Sequence, residues 1–142
     1  MEQMNRYKGE PMTLRIGILA SHGGSATRAI VNAVNQGLLC ASVNVCISNN
    51  SASDALAFAR EHRIPAYHIS SKTAPGNEDQ RIRDVLFEHQ VELVILSGYM
   101  KKLGPATLAA YQGRILNIHP ALLPKYGGQG MEDRRLSTPE FI

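Results

Sequence analysis

The sequence predicts an α/β domain built as a doubly wound, mostly parallel sheet, and three observations carry that reading. Short apolar runs alternate with amphipathic stretches along most of the chain. The runs at 16–20 and 93–96 are nearly unbroken, as strands covered on both faces are. Punctuating residues such as Gly37, Pro65, Gly104-Pro105 and Gly113 fall between these segments. Strands that alternate with helices pair in parallel through crossovers, which places the first and fourth strands on either side of the point where the winding reverses.

Each element follows from its own residues. Residues 1–13, with Asn5, Lys8, Gly9, Glu10 and Pro11, show no periodicity and read as a flexible tail ahead of a domain at 14–131. After the first strand, Ser21-His22-Gly23-Gly24-Ser25-Ala26-Thr27 turns into a helix with Ile30, Ala33 and Val34 at helical spacing and Gly37 as its stop. Val43, Val45 and Ile47 alternate as a second strand, and Ser53 is placed to cap a helix burying Ala55, Phe58 and Ala59. Tyr67-His68-Ile69 is a short third strand. Asn77 with Gln80 resembles a capping box opening a helix with the stripe Ile82, Val85, Leu86 and His89. The fourth strand, 93–96, leads into Ser97-Gly98-Tyr99-Met100-Lys101-Lys102-Leu103, and a helix opens at Gly104-Pro105 and closes at Gly113. Ile115-Leu116-Asn117-Ile118-His119-Pro120 is the fifth strand. Alternation sends Asn117 and His119 to one face, and Pro120 ends the ladder.

Composition limits what such a domain does. At 142 residues, 44% hydrophobic and 19% charged, the chain suits one globular domain with an ordinary core. The formal net charge of +3 is mild, and no aromatic ladder interleaves with the basic residues, which disfavours nucleic acid and suits small anionic ligands. Cys40 and Cys46 form no metal or redox spacing, so no metal is expected and a reducing cytoplasm fits. The polar N-terminus and the absence of a long apolar run argue against a membrane.

Ligands of doubly wound sheets bind at the carboxyl ends of the strands beside the switch point. The turn Gly23, Gly24, Ser25, Ala26 and Thr27 would offer backbone N–H groups and two hydroxyls at a helix N-terminus, an arrangement that favours a phosphate. It lacks the third glycine of a dinucleotide fingerprint, and the second strand ends in Ser48-Asn49-Asn50 without an acidic ribose partner, so a phosphate monoester is the better fit. The loop at 98–103 sets aromatic and apolar groups beside Lys101 and Lys102, as a slot for a flat heterocycle with an acidic tail would. Asn117 is placed to donate to a developing oxyanion, and His119 to carry a proton near neutral pH. Those are the parts of an acyl transfer. There is no serine elbow, zinc cluster or carboxylate pair.

The block Asn117-Ile118-His119-Pro120-Ala121-Leu122-Leu123-Pro124-Lys125-Tyr126 resembles the phosphoribosylglycinamide formyltransferase family. Leu96-Ser97-Gly98-Tyr99-Met100 upstream and Ser21, Gly24 and Ser25 near the start extend the likeness from about Leu14 to Met131. The resemblance implies a Rossmann-like formyltransferase fold and transfer of a formyl group from 10-formyltetrahydrofolate to glycinamide ribonucleotide in purine synthesis. It also implies that Asn117 polarises the formyl group and that His119 handles protons. Gly24 and Ser25 would grip the substrate phosphate, while Leu96, Met100, Lys101, Leu103, Ile118 and Pro120 would contact folate or substrate. Ala26 stands where the family usually has asparagine. A formyl-tetrahydrofolate hydrolase usually has histidine at the position of Pro120, and a silent phosphate- or folate-binding relative is the rival from another class.

The family continues past the Gly-Gly-Gln-Gly-Met region with further strands, a long helix and a catalytic aspartate. Residues 132–142 do not resemble that continuation, and read as an atypical polar tail on a C-terminally truncated or frame-shifted chain. An apolar sheet face left uncovered there would favour self-association.

Overall fold

The computed structural model describes residues 13–118 together with the backbone of Glu140 and Phe141. Strands β1 (Leu14–Ala20), β2 (Ala41–Ser48), β3 (Ala66–His68), β4 (Leu93–Ser97), β5 (Ile115–Ile118) and β6 (Glu140–Phe141) form one sheet in the order β3-β2-β1-β4-β5-β6. The first five pair in parallel, and β6 pairs antiparallel with β5. The neighbours β1 and β4 flank the switch point, as the sequence predicts. Strand β6 falls within the segment 132–142, which reads from the sequence as a polar tail.

Four helices cross between the strands: α1 (Ser25–Asn35), α2 (Asp54–Glu61), α3 (Glu78–Glu88) and α4 (Pro105–Ala110). Register separates the two faces of the sheet. Leu19, Val45, Ile47, Val94, Leu96 and Ile115 share one face and pack with Ile82, Val85 and Leu86 of α3 and with Tyr111 just beyond α4. Ile16, Ile18, Ala20, Cys46 and Ile95 share the other, where Ala55, Leu56 and Ala59 of α2 and Ile30 of α1 pack. Both faces are covered, which is why β1 and β4 read as unbroken apolar runs. At Gly17 a side chain would run into Leu86 Cδ2 and Val91 Cγ2, 2.8 and 2.9 Å from an added Cβ, so the glycine lets α3 sit close to β1. Burial pushes the Cys46 thiol up to about 12, leaving it a small packed hydrophobe.

The ends of α1 and α2 follow the sequence closely. Gly37, with φ 78°, ends α1: its N–H bonds to Val34 C=O and that of Leu38 to Ala33 C=O, the paired bonds of a Schellman motif. The Ser53 hydroxyl accepts from Leu56 N–H at 3.2 Å and caps α2. Three details differ. The buried residues of α1 are Ala26, Thr27 and Val31, a stripe rotated toward the first turn from the expected Ile30, Ala33 and Val34. In β2 a bulge skips Asn44, so Val43 packs on the α1–α2 face while Val45 and Ile47 pack on the other. Asn44 Nδ2 donates to His89 C=O at the end of α3, at 2.8 Å, which occupies the skipped residue. The third is Asn77, whose side chain makes no cap bond to α3.

Asp79, in the first turn of α3, caps the neighbouring helix α4. Asp79 accepts from Ala106 N–H at 2.7 Å and Thr107 N–H at 2.9 Å, and its C=O accepts from the Thr107 hydroxyl at 3.1 Å. Burial alone would raise the Asp79 pKa, but the Thr107 and Ala106 N–H groups, the Thr107 hydroxyl and the charge of Arg83 outweigh it and hold the carboxyl below its ordinary value. A depressed carboxyl stabilises fully above its unfolded pKa of about 3.9, and the contribution is lost as pH falls through the lower folded value. Asp79→Ala is therefore expected to cost about 0.5–2 kcal/mol at pH 7, the value of a helix cap, by urea denaturation. The gap to wild type should close below about pH 3.9; a gap that persists undiminished at pH 2 would show that the charge is not what stabilises α4.

Candidate functional site

Three strand ends meet beside the switch point. From β1 the chain turns through His22, Gly23 and Gly24 into α1, from β2 it runs through Asn49 and Asn50, and from β4 through Gly98, Tyr99 and Met100. Gly24 is the N-cap of α1 in a left-handed conformation, φ 80°, and a Cβ there would lie 3.1 Å from Ala55 Cβ, so the turn is seated directly on α2. Having no side chain, this cap makes no side-chain bond to the N–H groups of Ser25, Ala26 and Thr27, its C=O accepts from Arg28 N–H at 2.9 Å, and no acidic residue stands in that turn. The donors of the α1 N-terminus thus keep their capacity for an anion.

A cleft of about 420 Å³ opens over this turn, lined by His22, Gly23, Gly24, Ser25, Arg28, Asp54, Ser97, Gly98 and Met100. Arg28 is the residue that sequence reasoning missed. Three residues after Ser25 on the same helix face, its guanidinium carbon lies 4.9 Å from the centroid of the Phe58 ring, which itself stacks on His62 at 4.0 Å. The signal was available: a cation in the first turn of a helix opposes the helix dipole, and such a residue beside a glycine turn is better explained by an anion than by stability.

A second cleft of about 220 Å³ lies over α3, lined by residues including Asn49, Glu78, Asp79, Tyr99, Lys101 and Lys102. Burial, with the charge of Glu78 adding to it, pushes the Tyr99 hydroxyl up to about 12, so it stays a neutral donor at pH 7. Lys101 also borders a third cleft with His68 and Lys72. His89, at the end of α3, is held by the Tyr67 hydroxyl, 2.8 Å from its Nε2.

The expected site residues divide accordingly. Gly23, Gly24, Ser25 and Met100, the last 71% exposed, share the first cleft, whereas Lys101 lines the second and third. The Thr27 hydroxyl corrects the expectation of a ligand-facing group: it is 1% exposed and donates to Ser97 Oγ at 3.3 Å, because this part of α1 packs onto the end of β4. The Ala26 side chain is likewise buried. Leu96 is 6% exposed within the α3-side core and Leu103 packs against that core, while Ile118 packs on the opposite face, so Leu96 and Ile118 do not share one surface. Asn117 lies one residue from the end of β5, half-buried, in register with Leu96. In the order β1-β4-β5 it is two strands from the glycine turn, about 10 Å at the usual strand spacing. His119 and Pro120 lie outside the described residues. Among the described residues no cluster of three or more His, Cys, Asp or Glu could hold a metal, and no helix is long and apolar enough to cross a membrane.

Comparison with known proteins places this geometry in a family. Residues 14–138 match the formyl transferase family. The phosphoribosylglycinamide formyltransferase of Haemophilus influenzae is 36% identical over 126 residues, covering 87% of this chain and 59% of that protein. The chain thus spans under two thirds of the length of that relative. Among solved structures, glycinamide ribonucleotide transformylase 1 from Geobacillus kaustophilus aligns with a TM-score of 0.75 at 29% identity, covering 92% of this chain and 75% of that one. A formyltetrahydrofolate deformylase from Pseudomonas putida aligns with a TM-score of 0.67 at 29% identity, covering 76% and 38%.

Proposed function

The chain belongs to the formyl transferase family, and from that premise we propose that it transfers a formyl group from 10-formyltetrahydrofolate to the amine of glycinamide ribonucleotide. The observation that carries the reading is the cleft over the α1 N-terminus, where a phosphate would meet the backbone N–H groups after Gly24, the Ser25 side chain and the Arg28 guanidinium. A ribonucleotide anchored there and extended across β4 would bring its amine toward the end of β5. The loop from Gly98 to Leu103 would hold the folate, with Met100 on the ribonucleotide side and Lys101 and Lys102 toward an acidic tail.

In this reading the substrate amine attacks the formyl carbon, the carbonyl oxygen becomes an oxyanion, and the bond from that carbon to the folate nitrogen breaks. The amine gives up one proton and the folate nitrogen takes one up. The Asn117 amide N–H donates to the oxyanion, where charge develops and a fixed donor matters most. His119, two residues further along the sequence, carries the proton by the family resemblance.

Incubating the chain with both substrates and following the formylated ribonucleotide by mass spectrometry tests the reading. Formate released without an acceptor would instead favour the deformylase chemistry named for the Pseudomonas relative. Binding of both substrates without turnover would favour a silent relative.

A further inference from the structure

Ser21 is 2% exposed, and every polar atom it has is engaged with another strand end. Its hydroxyl donates to Asn49 Oδ1 at 2.6 Å and accepts from Met100 N–H at 2.7 Å. Its C=O accepts from Asn50 Nδ2 at 3.1 Å, and its N–H donates to Gly98 C=O at 3.4 Å. The next residue, His22, accepts from Ala55 N–H at 3.1 Å and so ties the turn to α2. One buried side chain thus joins the end of β1 to the segments that follow β2 and β4. Its partners border different clefts, Gly98 and Met100 the first and Asn49 the second and third.

We propose that Ser21 is a positioning residue that holds the 98–103 loop at a set distance from the glycine turn, and so aligns the folate with the phosphate-anchored substrate. The assignment rests on the proposed function, since it takes the turn and the loop as the two ligand subsites. The Met100 N–H has its acceptor in this hydroxyl, and the Asn49 carbonyl has its donor there. Ser21→Ala removes both partners at once and leaves two polar groups without them at the wall between the clefts. The loop loses its side-chain tether at Met100 and keeps only the Ser21 N–H bond to Gly98 C=O, while the turn keeps its seat on α2 through Gly24 and His22.

The test separates positioning from general stability. Calorimetry should show Ser21→Ala binding an unreactive folate analogue at least 10-fold more weakly, with affinity for glycinamide ribonucleotide within about 2-fold of wild type. The Met100 amide should exchange with solvent at least 10-fold faster by NMR, and Ser21→Thr, which restores the hydroxyl, should recover both readouts. Equal weakening of both ligands in step with a lowered melting temperature would overturn the assignment, as would unchanged folate affinity. If Ser21→Ala does not fold, Ser21→Cys decides by the same split, since its thiol is close to the hydroxyl in size but a weak acceptor for the Met100 N–H. A wild-type chain that binds neither ligand overturns the proposed function and this assignment together. One that binds both, with Ser21→Ala indistinguishable from it, overturns this assignment alone.

Discussion

Asn117→Ala is expected to lower kcat for formyl transfer by about 100- to 1,000-fold, the loss that follows removal of one donor to a developing oxyanion. The expectation rests on where β5 ends. Asn117 is in register with Leu96, on the sheet face that α3 covers, and is the last but one residue of its strand. It is the polar residue in an otherwise apolar strand, Ile115-Leu116-Asn117-Ile118, at the end where doubly wound sheets bind ligands. Its ladder bonds to β4 are made by the backbone, so truncating the side chain leaves the strand paired. KM for the ribonucleotide should change little, because on the proposed reading its phosphate would be held about 10 Å away at the turn. A variant whose kcat stays within about 3-fold of wild type would remove Asn117 from the reaction, and the oxyanion would then need a donor from elsewhere.

What was legible in the sequence was local. The runs at 16–20 and 93–96, the Ser53 cap and the Gly37 stop are each set within one or two turns of chain, and the structure bears each out. The strand order followed because alternation of strand and helix leaves few windings open. What local reading left out was settled by distant partners. Asn44 is bulged out of β2 toward a carbonyl 45 residues away, and Asp79 caps a helix 27 residues further on. The Ser21 hydroxyl meets an N–H 79 residues along the chain. No periodicity encodes such bonds. The turn at 23–27 was recognisable as a turn, but only packing shows that Thr27 faces β4 while Ser25 and Arg28 face the cleft.

Arg28→Gln is expected to weaken binding of glycinamide ribonucleotide by about 10- to 150-fold, since a hydrogen bond to a charged group contributes about 1.5–3 kcal/mol. A dephosphorylated analogue should bind both proteins alike, and the salt dependence of ribonucleotide binding should flatten in the variant. The guanidinium is oriented in advance by the buried Phe58 ring, and among the described residues it makes no ion pair, although Asp54 lines the same cleft. Arg28→Lys should retain part of the affinity as a point charge without the planar fork. Stability should barely move. Removing a cation from the N-terminal turn of α1 relieves about 0.3–1 kcal/mol of unfavourable interaction with the helix dipole, while the lost stacking on Phe58 costs about 0.5–1. The two nearly cancel, so a fall in phosphate affinity would not be a by-product of unfolding. Equal affinity of wild type and Arg28→Gln for the ribonucleotide would remove Arg28 from the site and leave the anion to the backbone of the turn.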